Sequence, residues 1–132
     1  MVRLPIVLLL IGSLTLVAGC ASPNRQGSED VVIRFYHAYG SKDGATACAL
    51  LAPATRSAVA QAAQMPCAEG LLAEHLPSPG AVRSTAVYGD QAQVRLVGDT
   101  VFVAAFQQGW RVVAAGCKPR PDRPYECAVE AG

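Results

Sequence analysis

At Pro77-Ser78-Pro79-Gly80 the hydrophobic period of this chain changes from helical to alternating, and that change restricts the fold more than any other feature. Upstream, Val32, Phe35, Tyr36 and Tyr39 recur at i, i+3, i+4 and i+7 behind Ser28, Glu29 and Asp30, residues suited to a helix cap and first turn. Gly40 closes that helix. A second helix is predicted from Asp43, carrying Ala47, Leu50 and Leu51 inward. A third opens at Pro53 and runs to about Ala63, and a fourth spans residues 68–76 with Leu71, Leu72, His75 and Leu76 along one side. Downstream, residues 81–88 lead to Gly89-Asp90. Ala92, Val94 and Leu96 then alternate with polar neighbours up to Gly98-Asp99, and both Gly-Asp pairs fit tight hairpin turns. Residues 100–107 are apolar on both faces, and Gln108-Gly109 turns into a fourth strand over residues 110–117. Helices first and a meander afterwards predict an α+β fold, with the helices packed on one face of a curved, four-stranded or larger antiparallel sheet. Pro119, Pro121 and Pro124 predict an irregular tail, because proline cannot join a central strand.

The amino terminus has the anatomy of an export signal: Arg3, an apolar run over residues 4–17, and small residues before Cys20. Val17-Ala18-Gly19-Cys20 resembles the lipobox of bacterial prolipoproteins, with Val17 where that motif usually carries leucine. The resemblance implies removal of residues 1–19, lipidation of the Cys20 sulfur and acylation of the new amino terminus. Each buried methylene contributes about 0.8 kcal/mol, so several acyl chains on one residue hold a small domain stably at a membrane. A retained transmembrane anchor and ordinary cleavage after Ala21 are the competing readings. Gly12, Ser13, Thr15, Gly19, Ser22 and Asn24 dilute the run below anchor hydrophobicity. Residues 20–28 have the composition of a flexible tether, and residues 29–132 form a single domain.

Removing residues 1–19 from the 132-residue chain leaves 113, enough for one core. Arg3 leaves with the signal, and ten basic residues then balance ten acidic ones. That balance argues against nucleic acid as a partner, since such binding concentrates positive charge. With Cys20 assigned to lipid, Cys48, Cys67, Cys117 and Cys127 remain, an even number in an exported chain, which predicts two disulfides. Three connectivities are possible; Cys48–Cys67 with Cys117–Cys127 is favoured because each closes a short local loop. No Cys-x-x-Cys spacing supports a zinc site, and no metal or cofactor is expected.

Three passages carry a wider resemblance. They are Val31-Val32-Ile33-Arg34-Phe35-Tyr36-His37-Ala38-Tyr39 before Lys42-Asp43-Gly44, then Ala49-Leu50-Leu51-Ala52-Pro53-Ala54-Thr55-Arg56, and Gly109-Trp110-Arg111-Val112. The layout resembles the nuclear-transport-factor-like superfamily, which also holds ketosteroid isomerases, polyketide cyclases and small actinobacterial lipoproteins. The resemblance implies a cone-like roll with a cavity between sheet and helices, and homodimers through the outer face of the sheet. It implies no activity, because this fold hosts enzymes, binding modules and dimerisation domains alike.

Tyr36, Tyr39, His37, Tyr88 and Trp110 are the candidate cavity-lining residues. His37 lies off the apolar stripe, His75 falls on the apolar side of its helix, and Asp90 and Asp99 are read as ordinary turn residues. No nucleophile elbow, phosphate loop or zincin spacing is present, and no catalytic residue is assigned. The expected function is a lipid-anchored protein on the outer face of the bacterial cytoplasmic membrane that binds a small ligand or another envelope protein without catalysis. A cavity enzyme of isomerase or cyclase type, using Tyr36 or His37, and a structural dimerisation domain are the alternatives.

Overall fold

The computed structural model describes residues 23–132. Four helices precede five strands: α1 Pro23–Gly40, α2 Gly44–Ala49, α3 Pro53–Ala63, α4 Cys67–Ala73, β1 Val82–Tyr88, β2 Gln91–Leu96, β3 Thr100–Phe106, β4 Gly109–Arg120 and β5 Arg123–Glu130. The strands form one antiparallel sheet in sequence order, an open meander with β1 and β5 at its edges. The fold is therefore α+β, as the change of period predicts.

The alternation in β2 becomes the inner face of the sheet. Val94 pairs with Val101 and Ala92 with Val103, and all four are buried. Against them pack Val32 and Phe35 of α1, Leu51 before α3, and Leu71 of α4, each fully buried. Burying such a side chain contributes about 1.5–3 kcal/mol, so these contacts hold the helices on the sheet. Asp43 caps α2, accepting from Thr46 Oγ1 (2.6 Å) and Thr46 N (3.1 Å), which holds its carboxyl below the usual range. Both short-loop bridges form: Cys48–Cys67 ties α2 to α4, and Cys117–Cys127 joins directly opposed residues of β4 and β5.

Three expectations are corrected. The first helix begins at Pro23 rather than Ser28, so residues 23–27 belong to α1 and not to a tether. Proline suits a first turn, and tertiary contacts hold that turn in place: Arg25 Nη2 donates to Thr85 O (2.9 Å), Thr85 Oγ1 donates to Glu29 (2.6 Å), and Gly27 lies against the Trp110 ring. Ser28 is buried, and its hydroxyl turns back to Arg25 O (2.7 Å) instead of capping. The fourth helix stops at Ala73, where Glu74 takes an extended conformation, and this puts His75 in an exposed loop rather than on an apolar helix face.

The third correction is the proline-rich tail, which is the fifth strand. Pro124 is tolerated because β5 is an edge, and Pro119 falls where the β4–β5 register shifts between Lys118 and Arg120. Asp122, at φ 53°, makes the turn between the two strands.

Candidate functional site

β4 outruns β3. Their last paired residues are Phe102 and Ala114, yet β4 continues to Arg120. The N–H groups of Gly116 and Cys117 would lack acceptors there, and Asp99, at the head of β3, supplies them. Its Oδ1 accepts from Thr100 N (2.7 Å) and Cys117 N (2.9 Å); its Oδ2 accepts from Gly116 N (2.9 Å) and from the Tyr36 hydroxyl of α1. Gly116 sits at φ +66°, where a Cβ would come within 2.9 Å of the Ala128 side chain; glycine allows the chain this approach to the carboxylate. Four donors compensate a carboxylate that is only 8% exposed.

The consequence for Tyr36 is electrostatic. Burial, then the hydrogen bond and charge of Asp99, push its phenol well above the ordinary value near 10. A raised folded-state pKa gives stability that is complete below about pH 10 and declines above it, as the unfolded chain's phenol ionises first. Relative to Tyr36→Phe, the wild-type chain should therefore lose stability more steeply between roughly pH 10 and 11.5, by up to about 1.4 kcal/mol per pH unit. Urea titrations across that window measure it, and parallel slopes for the two proteins would refute the assignment.

An open groove of about 390 Å³ runs past this cluster, with His75, Lys118, Glu126 and the Cys117–Cys127 bridge on its walls. Asp99 touches the groove, but the protein's own donors occupy both of its oxygens. The arrangement ties α1, the β2–β3 turn and the stapled hairpin together through one buried side chain.

The five candidate cavity residues do not converge. Tyr36 is buried on Asp99, and the Tyr39 hydroxyl donates to Glu74 O and accepts from Leu76 N (3.3 Å). His37 is exposed beside Ile33, Arg34 and Asp43 in a shallow groove of about 340 Å³. Trp110 is half-buried against Gly27, and Tyr88 is 68% exposed. The inner face of the sheet is covered by Val32, Phe35, Leu51 and Leu71, all buried in the core.

Tyr88 instead borders a groove of about 240 Å³ on the outer face of the sheet, with Gln91, Gln93, Phe102, Ala104 and Val113. Tyr125 of β5 shapes it from the side. Its ring meets Phe102 edge to face at 5.2 Å, and its hydroxyl accepts from Gln93 Nε2 (3.1 Å). Sequence reading missed Tyr125 together with β5, and missed Asp99 because it counted only as a turn residue. The signal for Tyr125 was its place two residues before Cys127, on the same face of an extended segment.

Among the described residues, no three His, Cys, Asp or Glu side chains gather to hold a metal, and no helix is long and apolar enough to cross a membrane. Cys20, assigned to lipid, lies outside the described residues. Compared with protein-family models, with curated proteins and with solved structures, the chain matches none.

Proposed function

We infer that this chain is an extracytoplasmic, lipid-anchored binding module that works through the outer face of its sheet and not through an interior cavity. The observation that carries the reading is the division of the sheet. Its inner face is packed solid by the helices, while its outer face presents an apolar groove edged by Tyr88, Gln91 and Gln93. A few polar groups around an apolar floor are the usual make-up of a small-ligand site. Two disulfides accord with an oxidising compartment, and the Val17-Ala18-Gly19-Cys20 sequence accords with lipid attachment outside the membrane.

Two substitutions test the reading. Cys20→Ala should move the protein from the detergent phase to the aqueous phase in a cloud-point separation; unchanged partitioning counts against the anchor. Ala104→Glu, which puts a charge on the groove floor, should abolish the fluorescence enhancement of an anilinonaphthalene probe bound to the wild-type chain. Equal enhancement in both proteins would remove the outer face from consideration.

A homodimer over the same face is the second reading, favoured by Phe106, which is 41% exposed at the end of β3. Sedimentation equilibrium of wild type against Ala104→Glu separates it from ligand binding.

A further inference from the structure

A different cleft, of about 280 Å³, lies where the α2–α3 junction meets the β3–β4 hairpin, and its walls are Leu51, Pro53, Arg56, Phe106, Gln108 and Arg111. Backbone pairing locks those walls together. Leu51 bridges Val112 in parallel register, Ala52 N donates to Val112 O (2.7 Å), and Val112 N donates to Leu50 O (2.9 Å). Two guanidinium groups from distant parts of the sequence therefore line one cleft, and among the described residues no carboxylate lines it with them.

Arg56 is held in place by three backbone carbonyls, and Arg111 by one. Arg56 Nε donates to Cys48 O (3.0 Å), and its Nη2 donates to Ala49 O (3.2 Å) and Leu51 O (3.4 Å). These bonds close the carbonyl end of α2, fix the guanidinium plane and leave the Nη1 donors unused by them. Arg111 Nη1 donates to Trp110 O (2.9 Å), which leaves most of its fork available. A pre-positioned guanidinium loses little side-chain entropy on binding, and its paired N–H groups match the oxygens of a phosphate. Two like charges sharing a cleft repel, so an anion between them gains from both. Phe106, half out of the protein at the rim, gives an organic substituent an apolar lip.

We propose that the cleft between Arg56 and Arg111 binds a phosphate-class oxyanion, carried either by a free phosphate or by a lipid headgroup. This site shares no lining residue with the outer-face groove, although Arg111 pairs with Ala104 across β3 and β4, and its test uses variants that leave Ala104 in place.

The test is calorimetric titration of the full chain in neutral detergent micelles. The titrants are inorganic phosphate and dihexanoyl phosphatidylglycerol, with dihexanoyl phosphatidylcholine as the zwitterionic comparison. Saturable binding is expected, weakened at least tenfold by Arg111→Gln, less by Arg111→Lys, and left unchanged by Arg95→Gln on β2. Arg111 is varied because Arg56 also closes α2. Phosphatidylglycerol binding tighter than inorganic phosphate assigns the headgroup, and equal or weaker binding assigns the free anion. Absence of saturable binding by both anions, or the same affinity in Arg111→Gln and wild type, overturns the proposal.

Discussion

Replacing Cys48, Cys67, Cys117 and Cys127 together by alanine is expected to remove about 6 kcal/mol of folding free energy, at about 3 kcal/mol for each bridge by loop-closure entropy. The bridges span 19 and 10 residues, short loops for which that entropy is moderate. The loss matters because domains of this size hold only about 5–15 kcal/mol in total. Cys48–Cys67 is also placed where α2 comes close to α4, with Gly44 against Ala68 O and the Leu72 side chain. Urea unfolding of the quadruple variant, and of each paired double variant, measures the effect. A total loss under about 2 kcal/mol would mean that the helices and sheet hold together without their staples.

Asp99→Ala should cost about as much as one bridge, at about 3 kcal/mol or more, because it strands the Tyr36 hydroxyl and the N–H groups of Thr100, Gly116 and Cys117 in one place. Asp99→Asn should cost a comparable amount. Its amide keeps the shape but turns an NH2 toward backbone donors. Tyr36→Phe should cost only about 1–2 kcal/mol, since Oδ2 keeps its bond from Gly116 N. The two substitutions should also be strongly non-additive, with Tyr36→Phe nearly silent once Asp99 is gone. Chemical denaturation of the four proteins of this cycle decides the matter. Additive effects would mean that Tyr36 and Asp99 stabilise the fold independently.

Much of the fold was legible in local pattern. The third helix runs from Pro53 to Ala63 as its proline start and alanine-rich body predict, and the Gly89-Asp90 turn falls between β1 and β2. The cysteine pairing was legible because only the local connectivity closes short loops between adjacent elements. The fifth strand was not. Proline excludes a central strand, but whether Pro119 lies in a bulge and Pro124 on an edge depends on sheet order, which no local pattern carries.

Asp99 was hidden for a related reason. An aspartate after glycine reads as a turn residue, and it becomes a buried acceptor only because β4 extends beyond β3 and presents two unpaired N–H groups. Tyr36 was legible as a core residue and not as a hydrogen-bond donor, since its partner lies 63 residues away. Tyr36, Tyr39, His37, Tyr88 and Trp110 take separate surroundings because side-chain spacing along α1 cannot show how the helices pack on the sheet.

The early start of α1 sets a distance. Cys20 and Pro23 are three residues apart, and an extended chain covers at most about 3.6 Å per residue, so a lipidated Cys20 could stand no more than about 11 Å from the first helical turn. A Cys20 anchor would thus give the domain no stalk. Arg25, bonded to β1, and Gly27, in contact with Trp110, would hold that corner of the sheet beside the headgroups. Such a protein would meet its ligands at the membrane surface, with one side of the domain shielded by lipid and the rest facing outward.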